Sequence, residues 1–288
     1  PYRVFADANV ETGLLVLERE ALGERSRHRL AVKEGHIGNV GFEVATLRKI
    51  PQRAFLDTFQ NVFDLSLAPE TEAVKEQMRK GPRIGECFTV QFGLKTGDDG
   101  KFLHSEEGRH REDKRLLRGE DVKRYDLIYK GEFVWYVPAR MRAHRKTARP
   151  GEPARFEQPK VLVKDTSADF ACAYDESGYY VKDVLVVTSS GSDAWAPDLR
   201  FLAGVINSRA LRFYYRTTFK TIHVQNEELA SLPLPRIDPA DKAQLEMHNA
   251  LVRLVRQMED ATSKVRESRT HADASYYEAK CVELDQRI

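Results

Sequence analysis

The spacing of apolar residues changes along the chain, and each spacing predicts a different kind of element. Up to residue 50 apolar and polar positions alternate in the manner of sheet. Residues 10–17 (VETGLLVL) predict a buried strand, and Gly35, Gly38 and Gly41 predict turns in the stretch that follows. Residues 70–80 predict a short helix, entered at Pro69 and stopped by Gly81-Pro82. From residue 83 to about 182, short apolar runs lie between turn residues, so 87–92, 133–137, 160–164 and 179–187 predict strands, the last broken by Lys182-Asp183. Helical spacing returns at Asp198, where Leu199, Leu202, Val205 and Ile206 share a face, and a second helix continues through Leu211 to Tyr215. Leu232-Pro233-Leu234-Pro235 excludes helix, because each proline removes a donor and holds its neighbour extended. Asp238 then reads as the cap of a long helix, with Pro239 at its first position and Leu245, His248, Val252, Val255 and Met258 on its apolar face. A final helix carries Tyr277, Cys281, Leu284 and Ile288, and no internal repeat is present.

Composition narrows the class. At 288 residues the chain is long for one domain and natural for two, and 41% apolar residues suffice for a packed core. No apolar run approaches the roughly 18 residues of a membrane span. With 17 Gly and 12 Pro it is not collagen-like or low-complexity. Cys87, Cys172 and Cys281 lie far apart without a C-x-x-C, which argues against a disulfide framework or a cysteine zinc site. No secretory leader is apparent, and the chain opens in strand-like sequence and stops within a helix. We therefore expect a piece of a longer, cytoplasmic polypeptide. The formal net charge of +2 does not by itself announce a nucleic-acid binder. Its distribution is more telling: residues 1–82 hold 12 basic and 12 acidic side chains, 83–226 hold 25 and 20, and 227–288 hold 9 and 12.

Few motifs carry chemistry. Gly93-Leu94-Lys95-Thr96-Gly97 lacks the P-loop spacing and runs into Asp98-Asp99-Gly100, which is turn chemistry that repels phosphate. Gly35, Gly38 and Gly41 do not make G-x-G-x-x-G. The histidines form no H-E-x-x-H; His104 and His110 read as solvated, and His248 as a satisfied core residue. There is no G-x-S-x-G, and Asp273 with Glu278-Ala279-Lys280, a nuclease-like set, reads as the solvated face of one helix. What remains is binding. Residues 140–164 carry Arg140, Arg142, Arg145, Lys146, Arg149, Arg155, Lys160 and Lys164 against Glu152 and Glu157. Residues 201–226 carry Arg209, Arg212, Arg216 and Lys220, interleaved with Phe213, Tyr214, Tyr215 and Phe219, and the helical spacing of Phe213, Tyr214 and Phe219 reads as core. Cations in such tracts replace the counterions condensed on a nucleic-acid backbone. On sequence alone, 140–164 is equally a solvated loop or a DNA-facing one.

The order of motifs resembles the TaqI-like C-terminal specificity domain. This is the target recognition domain of adenine-specific DNA methyltransferases and of fused restriction–modification enzymes, including type IIG enzymes and BREX-type phage-defence methyltransferases. Residues 84–102, through Gly93-Leu94-Lys95-Thr96-Gly97 to Phe102, resemble its opening G-x-x-T-G-x-x-x-x-F element. Leu116-Leu117-Arg118-Gly119-Glu120-Asp121-Val122-Lys123-Arg124-Tyr125 resembles L-x-G-x-D-[IV]-x-R-Y. Pro159-Lys160-Val161-Leu162-Val163 is similar to the P-K-[IV]-[LV] strand, and Tyr174-Asp175 to Tyr179 to the hairpin after it. Residues 202–215, centred on Asn207-Ser208, resemble the N-S helix, and 229–235 the L-P-[IL]-P connector. Residues 5–17 resemble the last strands of the methyltransferase domain that precedes this module. The catalytic [DNS]-P-P-[YFW] and a glycine-rich S-adenosylmethionine loop are absent from the sequence, so the resemblance implies methylation by an upstream part of a parent protein, with or without an accompanying nuclease.

These readings combine into a mixed α/β (α+β) fold with short strands. We expect a methyltransferase remnant and linker helix at 1–82, a recognition domain at 83–237 and C-terminal helices at 238–288. Duplex DNA would meet Arg140, Arg142, Arg145 and Lys146, with Lys160 and Lys164 on the adjoining strand. Lys95 and Thr96 would lie near the bases, and Arg209, Arg216 and Lys220 would form a second backbone-contacting edge. The expected partners are DNA and the upstream methyltransferase domain, with no membrane. No cofactor, metal or catalytic residue is expected in this chain, and S-adenosylmethionine is implied for the parent. The alternatives are a protein-interaction scaffold built on the C-terminal helices and an enzyme in its own right.

Overall fold

The computed structural model describes residues 29–38, 41–58, 64, 69–166, 170–190, 196–219 and 221–288, with backbone alone at 33–38, 41–48, 57 and 69. The expected strand at 10–17, the resemblance over 5–17 and Lys220 lie outside the described residues. The chain divides into two compact units, Pro1–Glu72 and Ala73–Ile288.

In the first unit, β1 (Arg29–Gly38) and β2 (Gly41–Pro51) form an antiparallel hairpin, with Gly38 paired to Gly41 at its end. Gly35 lies inside β1 instead of in a turn. The register shifts beside it, because Ala45 on β2 is an extra residue, and a bulge bends a strand without reversing it. Val32, Ile50 and Phe55 form a small core.

The boundary between the units falls within helix α1 (Pro69–Met78), which begins at the expected proline. The second unit continues with α2 (Ile84–Cys87), β3 (Phe88–Phe92), α3 (Asp99–Phe102), β4 (Leu103–His104), β5 (Asp113–Arg118), β6 (Val122–Lys123), β7 (Asp126–Leu127) and β8 (Phe133–Trp135). Then come α4 (Pro138–His144), α5 (Pro153–Glu157), β9 (Lys160–Lys164), β10 (Cys172–Asp175), β11 (Tyr180–Lys182) and β12 (Val184–Ser189). Five helices close the chain: α6 (Leu199–Asn207), α7 (Arg209–Thr218), α8 (Asn226–Ser231), α9 (Lys242–Glu267) and α10 (His271–Arg287). The fold is mixed α/β, as expected.

One four-stranded sheet runs β10-β9-β12-β3 and is antiparallel throughout. A second runs β11-β5-β8-β4, with β11 and β5 parallel. Lys182-Asp183 is where the chain leaves one sheet for the other, and Asp183 takes the left-handed conformation (φ 58°) to make the break. Backbones crowd at this crossing. A Cβ on Gly93 would lie 2.4 Å from the Val181 carbonyl oxygen, and one on Gly119 2.6 Å from that of Asp183. Only glycine admits such approaches. Along β12, Val184 and Val186 enter a cluster with Leu116, Val134, Phe156 and Tyr180, while Leu185 and Val187 are buried on the opposite face. The same period of two in β9 leaves Leu162 in that cluster, and α6 packs against β9 and β10. Each such aliphatic side chain contributes about 1.5–3 kcal/mol of burial.

The Asn207-Ser208 pair joins α6 to α7 and seals an edge strand. The Asn207 amide accepts from the Cys172 N–H (3.1 Å) and donates to the Cys172 carbonyl (2.9 Å), as a neighbouring strand would. Arg124 donates to the Asn207 carbonyl (3.0 Å) and pairs with Asp285 of α10. Ser208 Oγ accepts from the Leu211 N–H (3.2 Å) and donates to the Val205 carbonyl (2.7 Å). It caps α7, so Ser208→Ala is expected to cost about 1 kcal/mol, read as a lowered urea midpoint at unchanged m-value.

The long helix starts later than its sequence suggests. Its cap is Asp241, which accepts from the Ala243 (2.9 Å) and Gln244 (3.2 Å) N–H groups. Asp238 instead accepts from the Ala240 N–H (2.9 Å) in the preceding turn. The apolar face of α9 packs on α6 and α10, with Val255, Met258, Ala261 and Leu284 in one cluster, so this part of the surface the scaffold reading needs is covered within the unit. His248 is a core histidine: its ring stacks on Phe201 at 4.7 Å and its Nε2 accepts from the Asp198 N–H (3.0 Å).

Candidate nucleic-acid interface

Loop 93–98 follows β3, and the chain after α4 returns beside it. Lys95 and Arg149 exchange backbone hydrogen bonds of 2.8 Å in both directions. This bridge unites two segments far apart in sequence and gathers Lys95, Arg145, Lys146 and Arg149, all exposed. Among the described residues, none of the four makes an ion pair with a carboxylate within 4.0 Å. Arg149 Nη1 donates to the carbonyls of Lys146 (2.7 Å) and Ala148 (2.8 Å), which stiffens the turn. Arg142 is exposed and lies 3.4 Å from Glu152. Arg140 is exposed and sits over the Trp135 indole, 5.3 Å from its centroid.

His144, at the end of α4, braces this arrangement. Its Nδ1 accepts from Lys101 Nζ (3.3 Å), because an ammonium has only donors, so Nε2–H donates to Asp98 Oδ2 (2.9 Å). That hydrogen bond is the main reason the Asp98 carboxyl titrates below the usual range, with Arg145 adding to it. The α4 arm and loop 96–101 are thus held as one piece.

Two expected contacts point inward. Thr96 is buried; its hydroxyl donates to Asp99 Oδ1 (2.5 Å) and accepts from the Asp98 N–H (3.1 Å), so it shapes the turn and does not face bases. Lys160 is fully buried, 2.5 Å from Asp175 Oδ2, and donates to the Phe156 carbonyl. Burial pulls its amine below the ordinary lysine range, against the opposing pull of Asp175. It cannot reach DNA. Lys164 is half-buried at the end of β9. Arg209 and Arg216 are exposed on α7, but the contacts of that helix run elsewhere: Lys75 donates to the Thr217 carbonyl (3.4 Å) and Arg79 to the Tyr214 hydroxyl (3.3 Å). Tyr214 and Phe219 are core, as their spacing implies, and Tyr215 is buried with them, whereas Phe213, also expected in the core, is 40% exposed.

An aromatic row on the second sheet escaped the sequence reading. Val134 is buried, whereas Phe133 and Trp135 alternate to the other face of β8. His110 stacks on Trp135 at 4.3 Å and His104 on Phe133 at 6.0 Å. His104 is therefore not solvated; its side chain is 6% exposed and its Nε2 lies 3.0 Å from Asp113 Oδ1. The period of two in Phe133-Val134-Trp135 was the available signal, but the pairing of β8 with β4 that brings His104 beside it is long-range.

Among the described residues, no group of three or more His, Cys, Asp or Glu could hold a metal ion, and no helix is long and apolar enough to cross a membrane. Asp273 and Glu278 are exposed along α10. A groove of about 600 Å³ is lined by residues such as Met78, Val205, Leu211, Pro233 and Leu251. In a cavity of about 400 Å³ the carboxylates of Asp126, Asp175 and Glu259 are paired with Arg266, Lys160 and Arg200.

Comparison with known proteins gives these elements a context. Residues 114–234 match the model of the TaqI-like C-terminal specificity domain family. No curated protein matches the chain. Similar solved structures include the type IIL restriction–modification enzyme MmeI in complex with DNA, at 12% identity and TM-score 0.45, over 71% of this chain and 32% of that one. The HsdS subunit from Thermoanaerobacter tengcongensis aligns at 11% identity and TM-score 0.39, over 75% of this chain and 51% of that one. The type IIG restriction endonuclease BpuSI aligns at 10% identity and TM-score 0.43, over 85% and 35% respectively. The chain thus spans about a third to a half of the length of these proteins. The stretch from β5 into the proline-rich connector, residues 114–234, belongs to the TaqI-like C-terminal specificity domain family.

Proposed function

We propose that this chain binds duplex DNA at a specific sequence and presents a target adenine to a methyltransferase domain in an upstream part of the same polypeptide. The observation that carries the reading is the gathering of Lys95, Arg145, Lys146 and Arg149, exposed and unpaired with described carboxylates, the last three within the specificity-domain stretch. Unpaired cations on one rigid surface can displace condensed counterions without first breaking ion pairs of their own. Arg209 and Arg216 of α7 serve as a second backbone contact. The upstream domain supplies S-adenosylmethionine and the methylation chemistry. The setting is a cytoplasmic restriction–modification or phage-defence enzyme, and this chain does the recognising.

Fluorescence anisotropy of labelled duplex DNA over a salt series tests this. Lys95→Ala, Arg145→Ala and Lys146→Ala combined are expected to weaken binding and to flatten the log–log salt slope by about 0.9 for each phosphate no longer neutralised. An unchanged slope would remove this face from the DNA. Calorimetric titration of S-adenosylmethionine into the chain is expected to give no binding heat, and a stoichiometric signal would favour an enzyme in its own right.

A further inference from the structure

Among the cations near this face, Arg140 is held in a way the others are not. Its guanidinium lies on Trp135, and Trp135 is itself fixed on several sides. The indole stacks on His110 (4.3 Å, 18°), packs against Phe102 (5.9 Å) and donates from Nε1 to Glu112 Oε2 (3.3 Å). The loop carrying these partners is tied down in turn, with the His110 N–H on Asp113 Oδ2 (2.7 Å) and the Tyr136 N–H on the Glu112 carbonyl (3.2 Å). Elsewhere among the described residues, guanidiniums resting on aromatic rings have their N–H groups engaged. Arg79 donates to Tyr214, Arg115 to the Ser177 carbonyl, Arg124 to Asp285, Arg155 to Gln91 and Arg200 to Glu259. Arg140 alone among them has its fork unengaged.

A guanidinium laid on a ring is restricted in orientation while its N–H edge stays open, so it loses less freedom on meeting a planar acceptor pair than a lysine would. Guanine presents such a pair, O6 and N7, in the major groove. The exposed carboxylate of Glu112 on the same indole disfavours a phosphate here through like-charge repulsion. A neutral base edge is tolerated, and the amino group of the paired cytosine is a donor that a carboxylate accepts. We infer that Arg140, on the platform of Trp135 and His110, reads a guanine of the target site, while Lys95, Arg145 and Lys146 contact phosphates. The inference rests on the DNA-binding reading above and names the base-reading residue and its base.

The test is selection from a randomised duplex library at fixed salt, followed by sequencing and by anisotropy of the enriched duplex over a salt series, with the wild-type chain, Arg140→Ala, Arg140→Lys and Lys146→Ala. Thermal melting confirms that each variant is folded. The wild type should enrich a site with guanine at a position where Arg140→Ala lowers the preference roughly tenfold to a hundredfold. Arg140→Lys should not restore it, since an ammonium lacks the fork. Lys146→Ala should keep every base preference, bind all sequences more weakly and reduce the salt slope by about 0.9. If Arg140→Ala leaves all preferences intact in a selective wild type, the assignment of Arg140 is wrong and the DNA reading stands. The same holds if its only effect is on the salt slope. If the wild type binds no duplex DNA, both fall.

Discussion

Replacing Lys160 with methionine is expected to destabilise the fold by about 3–5 kcal/mol. Lys160 of β9 lies directly opposite Asp175 of β10, and both side chains are almost wholly shut from water. Methionine matches the length of lysine but leaves the Asp175 carboxylate buried without its cation. The remaining partners of that carboxylate, the Ser177 (2.8 Å) and Tyr179 (3.1 Å) N–H groups, are neutral dipoles and do not replace a full charge. The double variant Lys160→Met/Asp175→Asn should recover much of the loss, because exchanging a whole buried pair costs far less than breaking it. Urea unfolding provides the measurement, and equal losses in the single and double variants would refute the uncompensated-charge argument. DNA affinity of folded Lys160→Met should be unchanged, in contrast to the triple variant at Lys95, Arg145 and Lys146.

Asn207→Leu comes next, with an expected loss of about 2–4 kcal/mol. Leucine fills a similar volume but leaves the Cys172 N–H buried without the acceptor that Asn207 Oδ1 provides. The Cys172 carbonyl fares better, since it also accepts from the Tyr125 N–H (2.9 Å). Stranding one buried donor accounts for most of the cost. Amide exchange at Cys172 should speed up more than exchange elsewhere in β9 and β10, whereas a general loosening would accelerate all of them alike. A loss below about 1 kcal/mol would mean that the amide is not the seal of this edge.

These residues explain why family motifs can be legible while the binding face is not. Gly119, Lys160 with Asp175, and Asn207-Ser208 lie in the segments that resembled the specificity domain, and each holds strands or helices together. They mark the fold. The cations proposed for DNA lie on loops whose identity within the sequence is only that of a basic tract. Lys160 and Lys146 look alike in that tract, yet one is sealed against Asp175 and the other is exposed.

The sequence by itself determined features that arise within a few residues. The strands at 160–164 and 184–187, the break at Lys182-Asp183 and the extended 232–235 connector follow from short apolar runs, turn propensity and proline geometry. The start of α9 depends on more than local sequence, because Asp238 and Asp241 are both able caps and only the backbone path selects Asp241. Tertiary structure decided what depends on distant partners: that Thr96 and Lys160 turn inward, that His104 leaves solvent for Asp113 and Phe133, and that Lys95 meets Arg149. A charge or a hydroxyl goes where its compensating partner is, and strand pairing across the sheets places that partner.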